Sequence, residues 1–142
     1  MPTGFTHSVS IAARAQVVLE FLADPRELPR WAPVFARAVR PDGDRWIVDT
    51  GQGETAIRVR VSREHGTVDF LDADAPAGTD RGAFTRVVGN RRESQLMFTR
   101  FFPATTSADE VERQKAVVDQ ELRTVQSLCE AANPLTSGYD AV

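Results

Sequence analysis

Three charged side chains interrupt faces of this chain that are otherwise apolar: Asp72, Arg100 and Lys115. A buried charge is costly without a partner, so we expect each of them to meet another charge or a polar group of a ligand. Asp72 could then serve as a general acid or base, and Arg100 or Lys115 could stabilise an enolate-like oxygen. Simpler interpretations stay open, with Asp72 at a solvated mouth and the two cations reaching water along their alkyl stems.

The other residues suited to chemistry are two histidines and one cysteine. His65 precedes Gly66 in a predicted hairpin turn, which favours a surface position. His7 alternates with apolar residues on one strand face and is the second candidate acid or base. Cys129 falls on an apolar helix face, where an inert thiol is expected. Because these residues lie in separate elements, we expect no metal and no cofactor.

The common motifs of catalysis and nucleotide binding are missing from the sequence. There is no GxSxG, P-loop, GxGxxG or HExxH pattern, and these patterns mark many hydrolases, nucleotide-binding proteins and zinc peptidases. The formal net charge of -3 argues against general attraction to nucleic acid or to anionic lipid.

Composition indicates one ordinary globular domain. The chain has 142 residues, of which 42% are hydrophobic and 26% charged, enough for a single core. No apolar run is long enough for a membrane span, and the first residues do not resemble a signal peptide. Together with the single cysteine, this predicts a cytoplasmic protein. We expect one domain over 1–142, with its core in 5–132 and a flexible tail in 133–142.

Periodicity gives the order of the elements. Residues 5–11 alternate as a strand, residues 12–23 show helical spacing, and residues 26–35 form a short helix or turn after Asp24-Pro25. From residue 37 onwards, apolar and polar residues again alternate, in segments separated by Gly-containing turns. This pattern predicts an antiparallel meander. Ser107 and Glu110 form a capping box that opens a helix ending near residue 132. The predicted strands of the meander are 37–41, 45–50, 55–63, 67–72, 82–88 and 95–102.

The register of the hairpin at His65-Gly66 determines which side chains share a face. A two-residue turn there would pair Val61 with Phe70 and Val59 with Asp72. These four side chains would then lie on one face, and the arginines between them would point away. Asp72 is the polar member of this face.

Arg100 and Lys115 fall on apolar faces by the same reasoning. On the last predicted strand, Arg100 alternates with Phe98 on the more apolar side. On the last helix, Lys115 lies in the stripe that contains Val118 and Leu122. Both cations are therefore expected near a space between this helix and the sheet.

Several short segments carry a family resemblance: Ile11-Ala12-Ala13, Val17 with Phe21-Leu22-Ala23-Asp24, Leu28-Pro29-Arg30-Trp31-Ala32-Pro33 and Arg45-Trp46. With the element order, they make residues 5–131 resemble the helix-grip fold of the START/Bet v 1-like (SRPBCC) superfamily. The polyketide cyclase/dehydrase-like members are the most similar. Members of this superfamily bind lipids, hormones, aromatic polyketides or other apolar ligands. A minority are enzymes, and some are protein-interaction modules.

The resemblance implies an α+β fold in which a curved antiparallel sheet of about seven strands surrounds a long C-terminal helix. It also implies binding of a small hydrophobic or aromatic ligand in a cavity between them. The alternatives are a polyketide cyclase/dehydratase-like enzyme using that cavity and a protein-interaction module. A homodimer is left open. The expected cavity-lining residues are Trp31, Phe35, Val59, Val61, Phe70, Asp72, Phe84, Phe98, Arg100, Val111, Lys115, Val118 and Leu122.

Overall fold

A computed structural model describes residues 4–76 and 81–132 of the protein. Seven strands form a single antiparallel sheet, and the last element is a long helix. The strands are β1 (Gly4–Ile11), β2 (Ala38–Asp42), β3 (Arg45–Asp49), β4 (Glu54–Ser62), β5 (Thr67–Asp72), β6 (Gly82–Gly89) and β7 (Ser94–Phe101). The helices are α1 (Ala15–Ala23), a 3-10 turn (Pro25–Glu27), α2 (Leu28–Trp31) and α3 (Ala108–Ala132).

Strands β2 to β7 form an antiparallel meander, and β1 completes the sheet beside β7. Its order is β1-β7-β6-β5-β4-β3-β2, so β1 pairs with the last strand and lies at the edge opposite β2. The sheet is curved, and the helices pack on its concave face. The α+β helix-grip fold expected from the sequence is therefore confirmed. Each predicted strand ends within one residue of the observed boundary, because alternation is a strong signal where one face is buried.

The two short helices differ more from the prediction. The first starts only at Ala15, since Arg14 is still extended (φ -62°, ψ 145°). Asp24 then ends it and caps the 3-10 turn by accepting a hydrogen bond from the Arg26 amide at 3.0 Å. The predicted segment 26–35 is helical only as far as Trp31. Ala32 leaves the helical region (φ -129°, ψ 54°) because a proline follows it.

The predicted hairpin register is wrong by two residues. Val59 pairs with Phe70, and Val61 pairs with Val68. Ser62 pairs with Thr67, so four residues form the turn instead of two. The Ser62 hydroxyl accepts a hydrogen bond from the His65 amide at 3.2 Å, which stabilises the longer turn. A shift of two residues keeps every side chain on its predicted face, so the face assignments survive the error.

The long helix begins with the predicted serine cap. Ser107 Oγ accepts a hydrogen bond from the Glu110 amide at 3.1 Å. The C-terminal half of α3 then packs along β1. Gln126 donates to the carbonyl of Ser10 at 2.7 Å, and Glu130 accepts from the amide of Ala12 at 2.9 Å. These bonds fix the helix along the edge strand and orient its other flank towards the middle of the sheet.

The structure leaves some sequence predictions outside its described parts. The predicted tail 133–142 and residues 77–80 of the predicted loop 73–80 are among these. Within the described ranges, no helix combines the length and apolar character that crossing a membrane requires.

Candidate functional site

One row of side chains crosses the concave face of the sheet. In register, Val59 lies beside Phe70, Phe70 beside Ala83, Ala83 beside Arg100, and Arg100 beside Phe5. Neighbouring strands are about 4.8 Å apart, so a row over five strands spans about 19 Å. Phe70 is buried, but the other four side chains keep part of their surface accessible. We call this set the cross-sheet row.

The less buried, N-terminal half of α3 meets this row at Arg100, which donates a hydrogen bond to Gln114. The buried side chains of α3 begin at Val118 and continue towards the C-terminus. Val111, Gln114 and Lys115 in the N-terminal half are only partly buried. The cross-sheet row and the flank of α3 that faces it therefore form a surface that water can reach, although it lies on the core side of the sheet. We call this surface the cleft.

Arg100 connects the two sides of the cleft. Its side chain lies on the concave face, as predicted, and Arg100 Nη1 donates to Gln114 Oε1 at 3.1 Å. The guanidinium carbon also lies 5.5 Å from the ring centroid of Phe102, a cation–π distance. The sequence led us to expect a carboxylate or an anionic ligand as partner, but the partner in the structure is a neutral amide.

A hydrogen-bonded chain on α3 orients that amide. Gln114 Nε2 donates to Glu110 Oε1 at 3.3 Å, while its own oxygen accepts from Arg100. Arg113 donates twice to the Glu110 carboxylate, at 2.7 and 2.6 Å. The hydrogen bond from Arg113 is the largest cause that lowers the pKa of Glu110 to about 2. Glu110 is thus an ionised anchor that holds Gln114 in place.

Glu121 is the functional candidate that the sequence reasoning missed. It is only 8% exposed, and the structure gives its carboxylate no hydrogen bond or ion pair within residues 4–76 and 81–132. Burial raises the pKa of Glu121 to about 7, although the positive charge of Arg100 acts in the opposite direction. Perturbed carboxyl groups of this kind are frequent at functional sites. A helical wheel could have identified Glu121, because it comes two turns after Gln114 and lies on the same flank of the helix.

The predicted apolar lining residues are largely brought together. Val59 and Phe70 belong to the cross-sheet row, and Val61 and Phe98 lie on the same concave face one row away. Trp31 packs its ring against Phe70, with centroids 5.8 Å apart. Trp31 is 3% exposed and its indole Nε1 has no hydrogen-bond partner. Most buried polar groups have a partner, so this unpaired donor is a second unusual feature beside the row.

Asp72, Arg100 and Lys115 do not pair with one another in the described parts of the chain. Asp72 is on the concave face at the end of β5, but its carboxylate accepts from the Asp74 amide at 2.9 Å. Lys115 Nζ lies 3.4 Å from Glu112 Oε1 and turns along the helix. Of the three, Arg100 is the one that bridges the sheet and α3.

The histidines and the cysteine have separate environments. His7 is half-buried on the concave face, with its ring centroid 4.9 Å from that of Phe5. His65 is exposed in its turn, as predicted. Cys129 is buried, and burial raises the pKa of its thiol to about 12, so it is not a nucleophile near neutral pH.

Two of the predicted aromatic lining residues lie elsewhere. Phe84 pairs with Asp69 and Thr99 and so points to the outer face of the sheet. There its ring lies 6.1 Å from that of Phe101. Strand alternation excludes Phe84 from the concave face, which corrects its assignment to the cavity. Phe35 follows α2 in a turn and is 38% exposed.

A concavity with a defined volume lies outside the cleft, near the N-terminus of α1. It is a groove of about 480 Å³ between α1, the β4–β5 turn and β6. Arg63 and Glu20, joined by hydrogen bonds of 2.7 and 2.9 Å, form part of its wall. No predicted site residue lines this groove.

The fold has known counterparts among solved structures. A START superfamily protein from Mycobacterium smegmatis superposes with a TM-score of 0.70 and 12% identity over 92% of this chain and 99% of that chain. The Zhui aromatase/cyclase from Streptomyces sp. R1128 gives a TM-score of 0.65 and 19% identity over 92% and 94%. The Aha1 dimer from Colwellia psychrerythraea gives 0.63 and 16% over 93% and 97%.

At these identities the similarity establishes the fold alone. No protein-family model matches the chain. No curated protein matches it either. The helix-grip architecture expected from the sequence is shared with these solved structures, and the function has to be argued from the residues of the site.

Proposed function

We propose that the protein binds a small hydrophobic or aromatic molecule in the cleft between the sheet and α3. The main supporting observation is the incomplete burial of Val59, Ala83 and Arg100. These side chains lie on interior strands and on the face that the helices cover. In a fully packed core they would be sealed, because protein interiors are close-packed.

The chemistry of the cleft suits such a ligand. Its walls are mostly apolar, with Phe5, Val59, Phe70 and Ala83 on the sheet side. Its polar groups are few and fixed, and the Arg100–Gln114 hydrogen bond is the clearest of them. Apolar walls with a small number of placed polar groups are typical of small-molecule sites. One solved structure of the same fold is named an aromatase/cyclase, and that name is compatible with an apolar small-molecule site in this architecture.

A cyclase- or dehydratase-like enzyme in the same cleft is the second candidate. The observation that favours it is a lone carboxyl, Glu121, within electrostatic reach of Arg100. A carboxyl that titrates near neutral pH suits general acid–base catalysis. Asp72 is less suited to that role than the sequence suggested, because its carboxylate already caps a turn. His7 stays a candidate base on the same face.

An interaction module is less well supported. The exposed large apolar side chains in the described parts are Val34, Phe35, Val88 and Phe101. On the outer face, Phe101 lies next to the β1 edge, whereas Val88 pairs with Gln95 at the other end of the strand. The exposed Arg86 comes between Val88 and Phe84. A docking face would need these apolar groups to be continuous.

We also assign the protein to the cytoplasm as part of this proposal. The chain has one cysteine, and it is buried as a free thiol. This pattern is frequent in reducing compartments. Fractionation of host cells would test the assignment.

Ala83→Leu tests the binding proposal directly. The larger side chain would extend from the middle of the cross-sheet row into the cleft and occupy the space of a ligand. We expect binding of the uncharged fluorescent probe N-phenyl-1-naphthylamine to weaken about tenfold or more, equivalent to about 1.4 kcal/mol. The measurement is a fluorescence titration, because this probe brightens in apolar surroundings.

Ala38→Leu is the matched control. It makes the same chemical change at an exposed alanine on the edge strand β2, so probe binding should stay as in the unmodified protein. Equal affinity for all three proteins, or no probe binding at all, would refute the proposed function. Native mass spectrometry of protein from its own host would identify a retained ligand by its mass.

A further inference from the structure

Arg100 has hydrogen-bonding capacity that the protein does not use. A guanidinium carries several N–H donors in a planar fork. In the described part of the chain, the single hydrogen bond of this side chain runs from Nη1 to Gln114. Its charge is not paired directly, although it lies within electrostatic range of both Glu110 and Glu121. A planar fork with free donors matches the geometry of an anion with two or more oxygens.

Glu121 lies on the same flank of α3 as the residues that hold Arg100. Glu110, Gln114 and Glu121 follow one another at helical spacing. The first two are joined by hydrogen bonds and lead to Arg100. Only 8% of Glu121 is exposed, its carboxylate oxygens keep some contact with solvent, and they have no hydrogen-bond partner in the residues described. As a neutral carboxylic acid, it would add one more free donor to this flank.

A third unused donor lies close to the cross-sheet row. Trp31 Nε1 is buried without a partner, and the indole ring contacts Phe70. Phe70 is followed in the row by Ala83 and then by Arg100. Arg100 and Trp31 thus contribute unused donors, and Glu121 would add one when it is protonated. A complementary ligand must supply acceptors, since buried donors without partners are costly.

We propose that the cleft binds its apolar ligand by an anionic, acceptor-rich head group that Arg100 holds, and that Glu121 donates a hydrogen bond to this head group as a neutral acid. The inference rests on the proposed function and adds the chemical class of the ligand. A carboxylate, sulfonate or enolate attached to an apolar body has this chemistry. A cationic ligand is disfavoured because Arg100 would repel it.

The protonation state of Glu121 then controls binding. An ionised Glu121 would repel the anion and could not donate, so affinity should fall as the pH rises through the range in which it titrates. Several other charged groups lie on α3 and on the elements packed around it. They are Arg100 on β7, His7 on β1, Asp72 on β5, Glu110 and Lys115 on α3 itself, Glu27 with Arg30 beside α2, and Glu20 on α1, bonded to Arg63.

Two matched fluorescent probes test the inference. 8-Anilino-1-naphthalenesulfonate is N-phenyl-1-naphthylamine with an added sulfonate, which stays ionised throughout the working pH range. Any pH dependence that only the anionic probe shows therefore reports on the protein. We expect the dissociation constant of the anionic probe to rise about tenfold between about pH 6 and about pH 8. The constant of the neutral probe should stay level.

Substitutions assign the effect to residues. Glu121→Gln should remove the pH dependence and keep tight anionic binding at the upper pH, because glutamine is a permanently neutral donor. Arg100→Gln should reduce the preference for the anionic over the neutral probe about tenfold. His7→Gln and Glu112→Gln should both retain the pH dependence. His7→Gln changes another ionisable side chain near the cleft, and Glu112→Gln changes an exposed glutamate of the same helix.

A calorimetric measurement on the unmodified protein covers the case in which a variant fails to fold. Binding of the anionic probe at the upper pH should take up close to one proton, visible as a difference in heat between two buffers of unlike ionisation enthalpy. The inference is overturned if the anionic probe binds no better than the neutral one, if the pH dependence survives Glu121→Gln, or if no proton is taken up. If the neutral probe still binds and Ala83→Leu still blocks it, the proposed function stands without this head group.

Discussion

Leu122→Ala is expected to lower the free energy of unfolding by about 2–5 kcal/mol. Leu122 is 2% exposed, in the middle of the buried face of α3, with Val118 and Val125 beside it on that face. Removing its terminal carbons leaves a cavity that the sheet and helix can fill only in part. Chemical denaturation followed by tryptophan fluorescence measures the loss.

Leu128→Ala provides the matched comparison for this substitution. It removes the same atoms from the same helix, but Leu128 is only partly buried, so we expect a smaller loss. An unchanged denaturation midpoint for Leu122→Ala would contradict the packing of α3 on the sheet. Equal losses for both variants would show that burial along α3 does not determine stability.

The second large effect concerns Glu121 and pH. The pKa of this carboxyl is raised by burial from 4.5 to about 7, so the folded protein holds a proton that the unfolded chain has already released. The stabilising contribution of this proton is fully present below about pH 4.5, the unfolded value. It is lost as the pH rises through about 7. A shift of this size corresponds to roughly 3 kcal/mol.

Glu121→Gln should remove this loss. Urea denaturation of the unmodified protein and of the variant, compared across pH, should show the unmodified protein losing roughly 3 kcal/mol relative to the variant between about pH 4.5 and about pH 8. Glu112→Gln changes an exposed glutamate of the same helix and should behave as the unmodified protein does. Parallel stability curves for Glu121→Gln and the unmodified protein would show that Glu121 is not desolvated in the fold.

Local signals in the sequence were sufficient for the elements of this fold. The strand limits follow from alternation. The start of α3 follows from Ser107, whose hydroxyl makes the expected cap bond. The end of α1 follows from Asp24-Pro25, because the restricted backbone before a proline acts over one residue. Each of these signals depends on neighbours within a few positions, so no knowledge of the tertiary structure was needed.

The face of each charged residue was also predictable, but its partner was not. Arg100 lies on the concave face because β7 alternates, and the sequence shows that alternation. Its partner Gln114 depends on where α3 crosses the sheet. The hairpin register shows the same limit, since a four-residue turn with the Ser62–His65 bond was not distinguishable from a two-residue turn. The faces survived only because the error was an even number of residues.

The order of the elements, their apolar faces and the charges on those faces were predictable from the sequence, and the helix-grip arrangement followed from the family resemblance. Three features became visible in the folded chain: Phe84 faces outwards, Asp72 caps a turn, and Glu121 is 8% exposed with no hydrogen bond in the residues described. The difference comes from the range over which the forces act. Periodicity and capping act between residues close in the chain, whereas burial and ion pairing depend on side chains that only folding brings together.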